Sequence, residues 1–293
     1  MNTQKRRIYS PLVAILIASL TGCVAGERRT VHIARTFDAS AIKRIELREV
    51  DGEIRIDAAA PNTISLDATV HSWMKRPDPK KDNQGFFETS VDGDTLIIGR
   101  HERVHFSFFN RDRLSIDYEL KVPPQLAIDI RTVNGRIVTR GVDGATAVTT
   151  VNGSIDIETP GSSELTAHTV NGRIETKFDR TFQGASLKTV NGRVSATLPA
   201  GASFVGNFTQ VNGDFEAAFP LTIHSNPGSR RVTGEVNGGE HELKITTVNG
   251  DIKLDHGQAS TPKPPAPATT PTAPSAPAAS APAPPAPPPA TGT

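Results

Sequence analysis

Thr132-Val133-Asn134-Gly135-Arg136-Ile137 decides the fold, because its central tripeptide Val-Asn-Gly occurs seven times before residue 255. Successive Asn residues are 18, 19, 20, 21, 25 and 12 positions apart, so the first five copies keep a period near twenty and the last two break it. Such a period is typical of stacked repeats, and its break predicts a C-terminal cap. The copies are Asn134-Gly135, Asn152-Gly153, Asn171-Gly172, Asn191-Gly192, Asn212-Gly213, Asn237-Gly238 and Asn249-Gly250.

The residues on both sides of each tripeptide alternate between apolar and polar types, as in Ser154-Ile155-Asp156-Ile157. This period of two predicts short, half-buried strands. Asn-Gly readily adopts the positive φ values of a sharp turn, because glycine has no Cβ and asparagine tolerates the left-handed region. Each tripeptide is therefore predicted to be a corner between two strands.

Two all-β architectures fit such corners. In a β-solenoid, each unit forms one coil, the coils stack about 4.8 Å apart, and the Asn side chains form a ladder of amide hydrogen bonds. In an antiparallel β-sandwich or meander, each Asn-Gly closes a two-residue hairpin. The constant period favours the solenoid, because stacked coils place like residues on like.

The N-terminus has the pattern of a targeting signal. A basic segment that ends at Arg7 precedes apolar residues 11–20, which are too few to span a membrane. The next residues, Leu20-Thr21-Gly22-Cys23, resemble a bacterial lipobox and include the single cysteine of the chain. The resemblance implies cleavage before Cys23, attachment of fatty acids such as palmitate, and membrane anchoring. Because Val24 is not aspartate, it also implies the outer membrane in a Gram-negative cell; the alternative is an ordinary signal with an unmodified cysteine.

Composition divides the chain into four parts. Residues 258–293 hold 13 of the 23 prolines, together with mostly Ala, Thr and Ser. This composition cannot bury apolar surface and predicts a disordered, extended tail. The predicted parts are a signal peptide at 1–22, a tether at 23–29, a single all-β domain at 30–257 with irregular strands at 30–125 and repeats at 126–257, and the tail at 258–293.

Two groups of side chains are candidate binding surfaces. The first combines aromatic with cationic residues in the segment 99–113 and suits a glycan, a lipid head group or a partner protein, although alternate Phe also fits a core-facing strand. Its aromatic members are Phe106, Phe108 and Phe109. The second suits an anionic polymer, although it also fits a charged solvent face. It is the arginine column Arg136, Arg173 and Arg193, directly after three tripeptides.

Charge and motifs bound the function. A net charge of +1 gives no field to attract nucleic acid. The sequence has no nucleophile motif, no cluster of metal-ligand residues and no glycine loop opening a helix. It therefore predicts a protein that is not an enzyme, with no catalytic residues, no metal and no cofactor, and a polysaccharide-cleaving enzyme stays as an alternative.

Three further features carry a family resemblance. Val50-Asp51-Gly52 reads as a degenerate corner, Val122-Pro123-Pro124 ends the irregular half, and the Thr-Val-Asn-Gly-Arg-Ile series follows. The chain up to Asp255 thereby resembles the putative-adhesin, domain-of-unknown-function family of bacterial envelope β-solenoid proteins. The resemblance implies an extracytoplasmic location and a β-solenoid fold, and it brings no catalytic residues.

The sequence therefore predicts a lipid-anchored cell-envelope protein whose solenoid is a non-catalytic binding or adhesion surface for an envelope glycan or protein. The alternative is a structural spacer or envelope-stress component that docks another protein, with Phe106 to Phe109 as the contact.

Overall fold

The computed structural model describes residues 28–60, 62–73, 86–100, 113–161, 163–226 and 229–257. These residues belong to one compact unit, and their regular elements are strands. Before the repeats lie β1 Arg28–Asp38, β2 Arg44–Arg48, β3 Ile54–Ala58, β4 Thr63–Trp73, β5 Phe87–Asp92, β6 Thr95–Arg100 and β7 Arg113–Val122. The regular repeats form β8 Ala127–Arg131, β9 Ile137–Arg140, β10 Thr146–Thr149, β11 Ile155–Thr159, β12 Leu165–His168, β13 Ile174–Phe178, β14 Ala185–Lys188 and β15 Val194–Leu198. The last strands are β16 Phe204–Asn212, β17 Phe215–Ala217, β18 Thr222–Asn226, β19 Ser229–Val236, β20 His241–Asn249 and β21 Ile252–His256.

Each coil contributes one strand to each of two sheets. The first sheet has the order β18-β19-β16-β20-β14-β12-β10-β8-β2-β6-β5, and the second has the order β1-β4-β7-β3-β9-β11-β13-β15-β21-β17. Neighbouring coils pair in parallel with like residues opposite one another, as where Ile155 lies between Ile137 and Ile174. Because the corners of these coils join the two sheets and do not close hairpins, the prediction of a β-solenoid is confirmed.

The core lies between the two sheets and follows from the alternation along each strand. The second sheet contributes a column of aliphatic residues that are at most 1 % exposed, namely Ile137, Ile155, Ile174, Val194 and Ile252. The first sheet contributes the facing column Ile130, Val148, Ala167, Leu187 and Ile245. Burying one such large aliphatic side chain stabilises a fold by roughly 1.5–3 kcal/mol, so these columns hold the sheets together.

The coils do not follow chain order in the stack. The coil of β2 and β3 lies between those of β8/β9 and β6/β7, and the coil of β20 and β21 lies between those of β14/β15 and β16/β17. The corner at Asn249 therefore lies inside the stack, and the prediction that it belongs to a C-terminal cap is wrong. Its spacing is irregular because residues 204–236 first form the outer coil and an antiparallel hairpin, after which the chain returns.

The N-terminal end of the stack is closed by antiparallel strands. β4 pairs with β7, and β1 pairs with β4, so that the start of β1 at Arg28, the end of β4 at Trp73 and the start of β7 at Arg113 are in register. β7 runs parallel to β3, which begins just after the corner at Asp51. All three strand ends therefore lie on the side of the solenoid that carries the tripeptides.

Candidate functional site

The tripeptides stack into a ladder of side-chain amides along one side of the solenoid, here called the tripeptide edge. In each step an Asn Nδ2 donates to the Asn Oδ1 of the neighbouring coil at 2.8–2.9 Å. All donors point toward the N-terminal end, where Asn134 Nδ2 lies 2.7 Å from Asp51 Oδ1. A carboxylate, which only accepts, thus ends the ladder. Its amide members in stack order are Asn134, Asn152, Asn171, Asn191, Asn249 and Asn212.

Glycine follows each ladder Asn because the coils approach too closely for a side chain. An ideal Cβ at Gly153 would lie 1.8 Å from the carbonyl oxygen of Gly135, and one at Gly172 would lie 2.0 Å from that of Gly153. Among the described non-glycine residues, Asn237 alone has a positive φ, of 51°. The expected left-handed turn conformation is therefore wrong for the ladder Asn residues and applies to Asn237-Gly238, which joins β19 to β20.

A column of buried hydroxyls lies behind the ladder and was missed in the sequence. Thr169 Oγ1 donates to the carbonyl of Gly153 at 3.0 Å, and Thr189 Oγ1 donates to that of Gly172 at 3.1 Å. These hydroxyls satisfy carbonyl groups that the close glycine packing buries. The members, each two positions before a ladder Asn, are Thr132, Thr150, Thr169, Thr189 and Thr247.

Valine side chains point outward beside the amide ladder. The six large hydrophobic side chains that stay most exposed among the described residues include four tripeptide valines, with exposures of 37–44 %. Because six of the seven corners stack in register, the valines of these six form one apolar column, here called the valine ridge. It consists of Val133, Val151, Val170, Val190, Val248 and Val211.

The three predicted arginines lie on the outer face of the second sheet, next to the tripeptide edge, and each has a carboxylate partner. Asp156 bridges two of them, with Arg136 Nε at 2.5 Å and Arg173 Nη2 at 3.3 Å. Arg193 Nη2 lies 2.9 Å from Asp251 Oδ2. Asp156 raises the pKa of Arg136 through its hydrogen bond and its charge. The pKa of Asp251 is lowered, first by the hydrogen bond from the Asp214 amide and then by the Arg193 side chain.

Basic residues also border the other side of the tripeptide edge, on the first sheet. Arg131, His168 and Lys188 each lie three positions before a ladder Asn. Burial, and then the charge of the neighbouring Lys188, hold the pKa of His168 below its ordinary value. Arg131 binds Asp129, whereas Lys188 has no carboxylate within ion-pair distance among the residues that the structure describes.

Other predicted residues lie outside the described ranges. They are the lipidation candidate Cys23 and the aromatic candidates Phe106, Phe108 and Phe109. In the ranges that are described, no three His, Cys, Asp or Glu side chains are grouped so that they could hold a metal ion. Nor do those ranges contain a helix that is long and apolar enough to cross a membrane.

Comparison with known proteins places the repeats in a family. Residues 127–255 match the family model described as Toastrack DUF4097. These residues form a Toastrack domain. The resemblance to a family of domains of unknown function is thereby confirmed for this stretch, which contains the six Asn residues of the ladder and the whole valine ridge. The Toastrack domain runs from β8 into β21, so β1 to β7 precede it in the chain.

Solved structures match over most of the chain, at low identity. A putative cell adhesion protein from Clostridium sporogenes is 9 % identical, with a TM-score of 0.43, and the match covers 78 % of this chain and 100 % of that one. A putative adhesin from Bacteroides fragilis is 14 % identical, with a TM-score of 0.40, and covers 79 % and 100 % respectively. The comparison with curated proteins gives no match.

Proposed function

We propose that the chain is a lipid-anchored cell-envelope protein whose solenoid is a non-catalytic binding surface. Cys23 carries the acyl groups in this proposal, and the outer membrane is the site in a Gram-negative cell. The supporting observation is the register of the stack, in which corresponding residues of successive coils lie opposite one another. Columns in which successive residues are about 4.8 Å apart suit an extended partner with repeating groups better than a single small molecule.

The proposed contact column on the second sheet is Arg136, Arg173 and Arg193. Their side chains are 46–63 % exposed even with their carboxylate partners in place. Exposed ion pairs of this kind contribute about 0–1 kcal/mol each, so an anionic group of an envelope polymer can replace the carboxylate partner at little cost. Binding of this kind weakens as salt rises, because counterions screen exposed charges.

The test is a pulldown from the native envelope with the acylated protein, after mass spectrometry of its N-terminal peptide has established the state of Cys23. A triple arginine-to-glutamine variant of the contact column is compared with a matched control that neutralises Arg55, Arg140 and Lys177, farther from the corners on the same sheet. The proposal expects an anionic glycan to be lost with the first variant and kept with the second.

A third variant replaces Phe106, Phe108 and Phe109 by alanine. Loss of a protein partner with this variant alone would make the aromatic segment the docking site and would overturn the arginine column as the contact. An unmodified Cys23 would overturn the lipid anchor. If no variant changes what is captured, the domain acts as a spacer and the proposed binding surface is wrong.

A further inference from the structure

We infer that the tripeptide edge lies flat on an anionic phospholipid surface, with the valine ridge at the headgroup boundary and the bordering cations on lipid phosphates. The inference rests on the proposed function and deepens it, because it names lipid phosphates as the anionic groups that the arginine column contacts. Capture of a glycan through that column without vesicle binding would support the proposed function and overturn this inference. It takes the orientation of the protein from the proposed anchor at Cys23, but the edge itself can be tested without that anchor.

The first argument is the exposure of the valine ridge. Most large aliphatic side chains in the described part of the chain are buried, yet Val133, Val151, Val248 and Val211 remain 37–44 % exposed, while the ridge members Val170 and Val190 are half-buried. Six stacked valines extend over roughly 24 Å, from the spacing between strands. A straight apolar ridge of this length, without a charged side chain within its own column, is the kind of surface that settles into the boundary between head groups and acyl chains.

The second argument is the order of charges away from the ridge. In the four coils with corners at Asn134, Asn152, Asn171 and Asn191, the rows directly beside the edge contain five Lys or Arg residues and no Asp or Glu. These cations are Arg131, Lys188, Arg136, Arg173 and Arg193.

The acidic partners of these cations lie mostly one row farther out. Asp129, Asp156 and Glu175 each lie two positions farther from the corner than the arginines they bind. The exception, Asp251, belongs to the next coil of the stack, where it lies in the same row as the arginines, and Asp214 holds that row in the outermost coil. Positive charge is therefore concentrated at the edge of the central coils, and it complements an anionic headgroup layer.

The third argument is the point where the chain leaves the domain. β1 begins at Arg28, in register with strand ends that lie on the tripeptide side. The chain between Cys23 and Arg28 spans at most about 18 Å when fully extended. An acyl group on Cys23 would therefore hold that side of the solenoid close to the lipid.

The test uses the chain from residue 23 onward with Cys23→Ser, which removes the single native thiol and every acyl group. A cysteine is then introduced at Val151 on the ridge or, as a control, at Ala147. Ala147 is an exposed residue of the same coil, four positions and about 13 Å away along the strand. Each is labelled with a polarity-sensitive fluorophore and mixed with vesicles of phosphatidylethanolamine and phosphatidylglycerol. The inference expects a blue shift at position 151 and none at 147; equal shifts at both positions, or none at 151, would overturn it.

Vesicle sedimentation tests the charges with a matched pair of variants. Arg136→Gln with Arg173→Gln neutralises the edge, and Arg140→Gln with Lys177→Gln neutralises the same coils four positions farther out. Both pairs remove two charges that have carboxylate partners. A Lys or Arg close to an anionic surface strengthens binding about fivefold, so the first pair should weaken binding by roughly tenfold or more and the second by much less. Equal losses in both pairs, or undiminished binding to neutral phosphatidylcholine vesicles, would refute the assigned edge.

Discussion

Replacing Gly172 by alanine tests the close packing of the corners most directly. The new Cβ would lie 2.0 Å from the carbonyl oxygen of Gly153 and 2.6 Å from its carbonyl carbon, so the two coils must separate by more than 1 Å at this point. The shift weakens the hydrogen bonds between these two coils, from the Gly153 amide to the Asn171 carbonyl and from the Asn171 amide to the Val151 carbonyl, now 3.1 and 2.8 Å long. Overpacking costs typically 1–3 kcal/mol and each lost hydrogen bond about 1 kcal/mol, which together give a loss of about 4 kcal/mol.

The assay is thermal and urea unfolding followed by far-UV circular dichroism. For a domain of this size a loss of about 4 kcal/mol lowers Tm by roughly 8–16 °C. Gly201→Ala is the matched control, because its Cβ meets nothing within 4 Å and its φ lies outside the left-handed region. That variant should be neutral or slightly stabilised. If Gly172→Ala unfolds within about 1 °C of Gly201→Ala, glycine is not required by the stacking of coils and the explanation of the repeat is refuted.

Three further changes probe the layers around the corner. Asn171→Ala removes one amide donor and one acceptor from the ladder and should cost about 1–2 kcal/mol, measured as a lower urea midpoint; an unchanged midpoint would show that the ladder does not stabilise the stack. Thr169→Val keeps the shape but leaves the Gly153 carbonyl without its hydroxyl donor, so a loss of about 1 kcal/mol is expected from the same titration, and none would contradict the assigned bond. Because the pKa of His168 is lowered in the folded state, its stabilising contribution is present above the unfolded pKa of about 6.5 and is lost as pH falls through the lower folded pKa. His168→Gln should therefore flatten the pH dependence of the urea midpoint in that range. An unaltered pH profile would contradict the assignment.

The period of the repeat was sufficient to predict the architecture, because a side-chain ladder needs like residues at equal intervals along the chain. It did not predict the order of the coils. The gap from Asn191 to Asn249 is 58 residues in sequence but a single step in the stack. The local sequence around β16 and β20 does not show which of these strands pairs with β14. That pairing depends on how the hairpin of β18 and β19 covers the C-terminal end of the stack.

The arginine column was predicted in the correct rows but without its chemistry. Corner spacing alone places Arg136 and Arg173 on one face, two positions after a ladder Asn. Asp156 can bridge the two arginines because the coil between them, at Asn152, has Ser154 in the arginine row. This small side chain leaves room for both arginines to reach Asp156. The valine ridge could not be predicted from the sequence, because a valine in an alternating pattern ordinarily indicates a core position. Only the geometry of the corner turns these six valines outward.

The residue directly before the tripeptide, two positions before its Asn, distinguishes the ladder copies from the hairpin copy. In five ladder coils that position is threonine. Four of these hydroxyls donate to a glycine carbonyl of the neighbouring coil, and that of Thr132 donates to the Val50 carbonyl. In the outermost coil it is Gln210, whose Nε2 lies 2.7 Å from the Gly250 carbonyl. The Asn237 copy has Glu235 there, an acceptor when ionised and unable to donate to a carbonyl, and this copy folds as an exposed turn. A donor at this position, together with Asn-Gly, is therefore the sequence rule for a stacked corner. The degenerate corner at Asp51 is an exception, because it carries Glu49 at this position, and there the Tyr118 hydroxyl donates to the buried carboxylate.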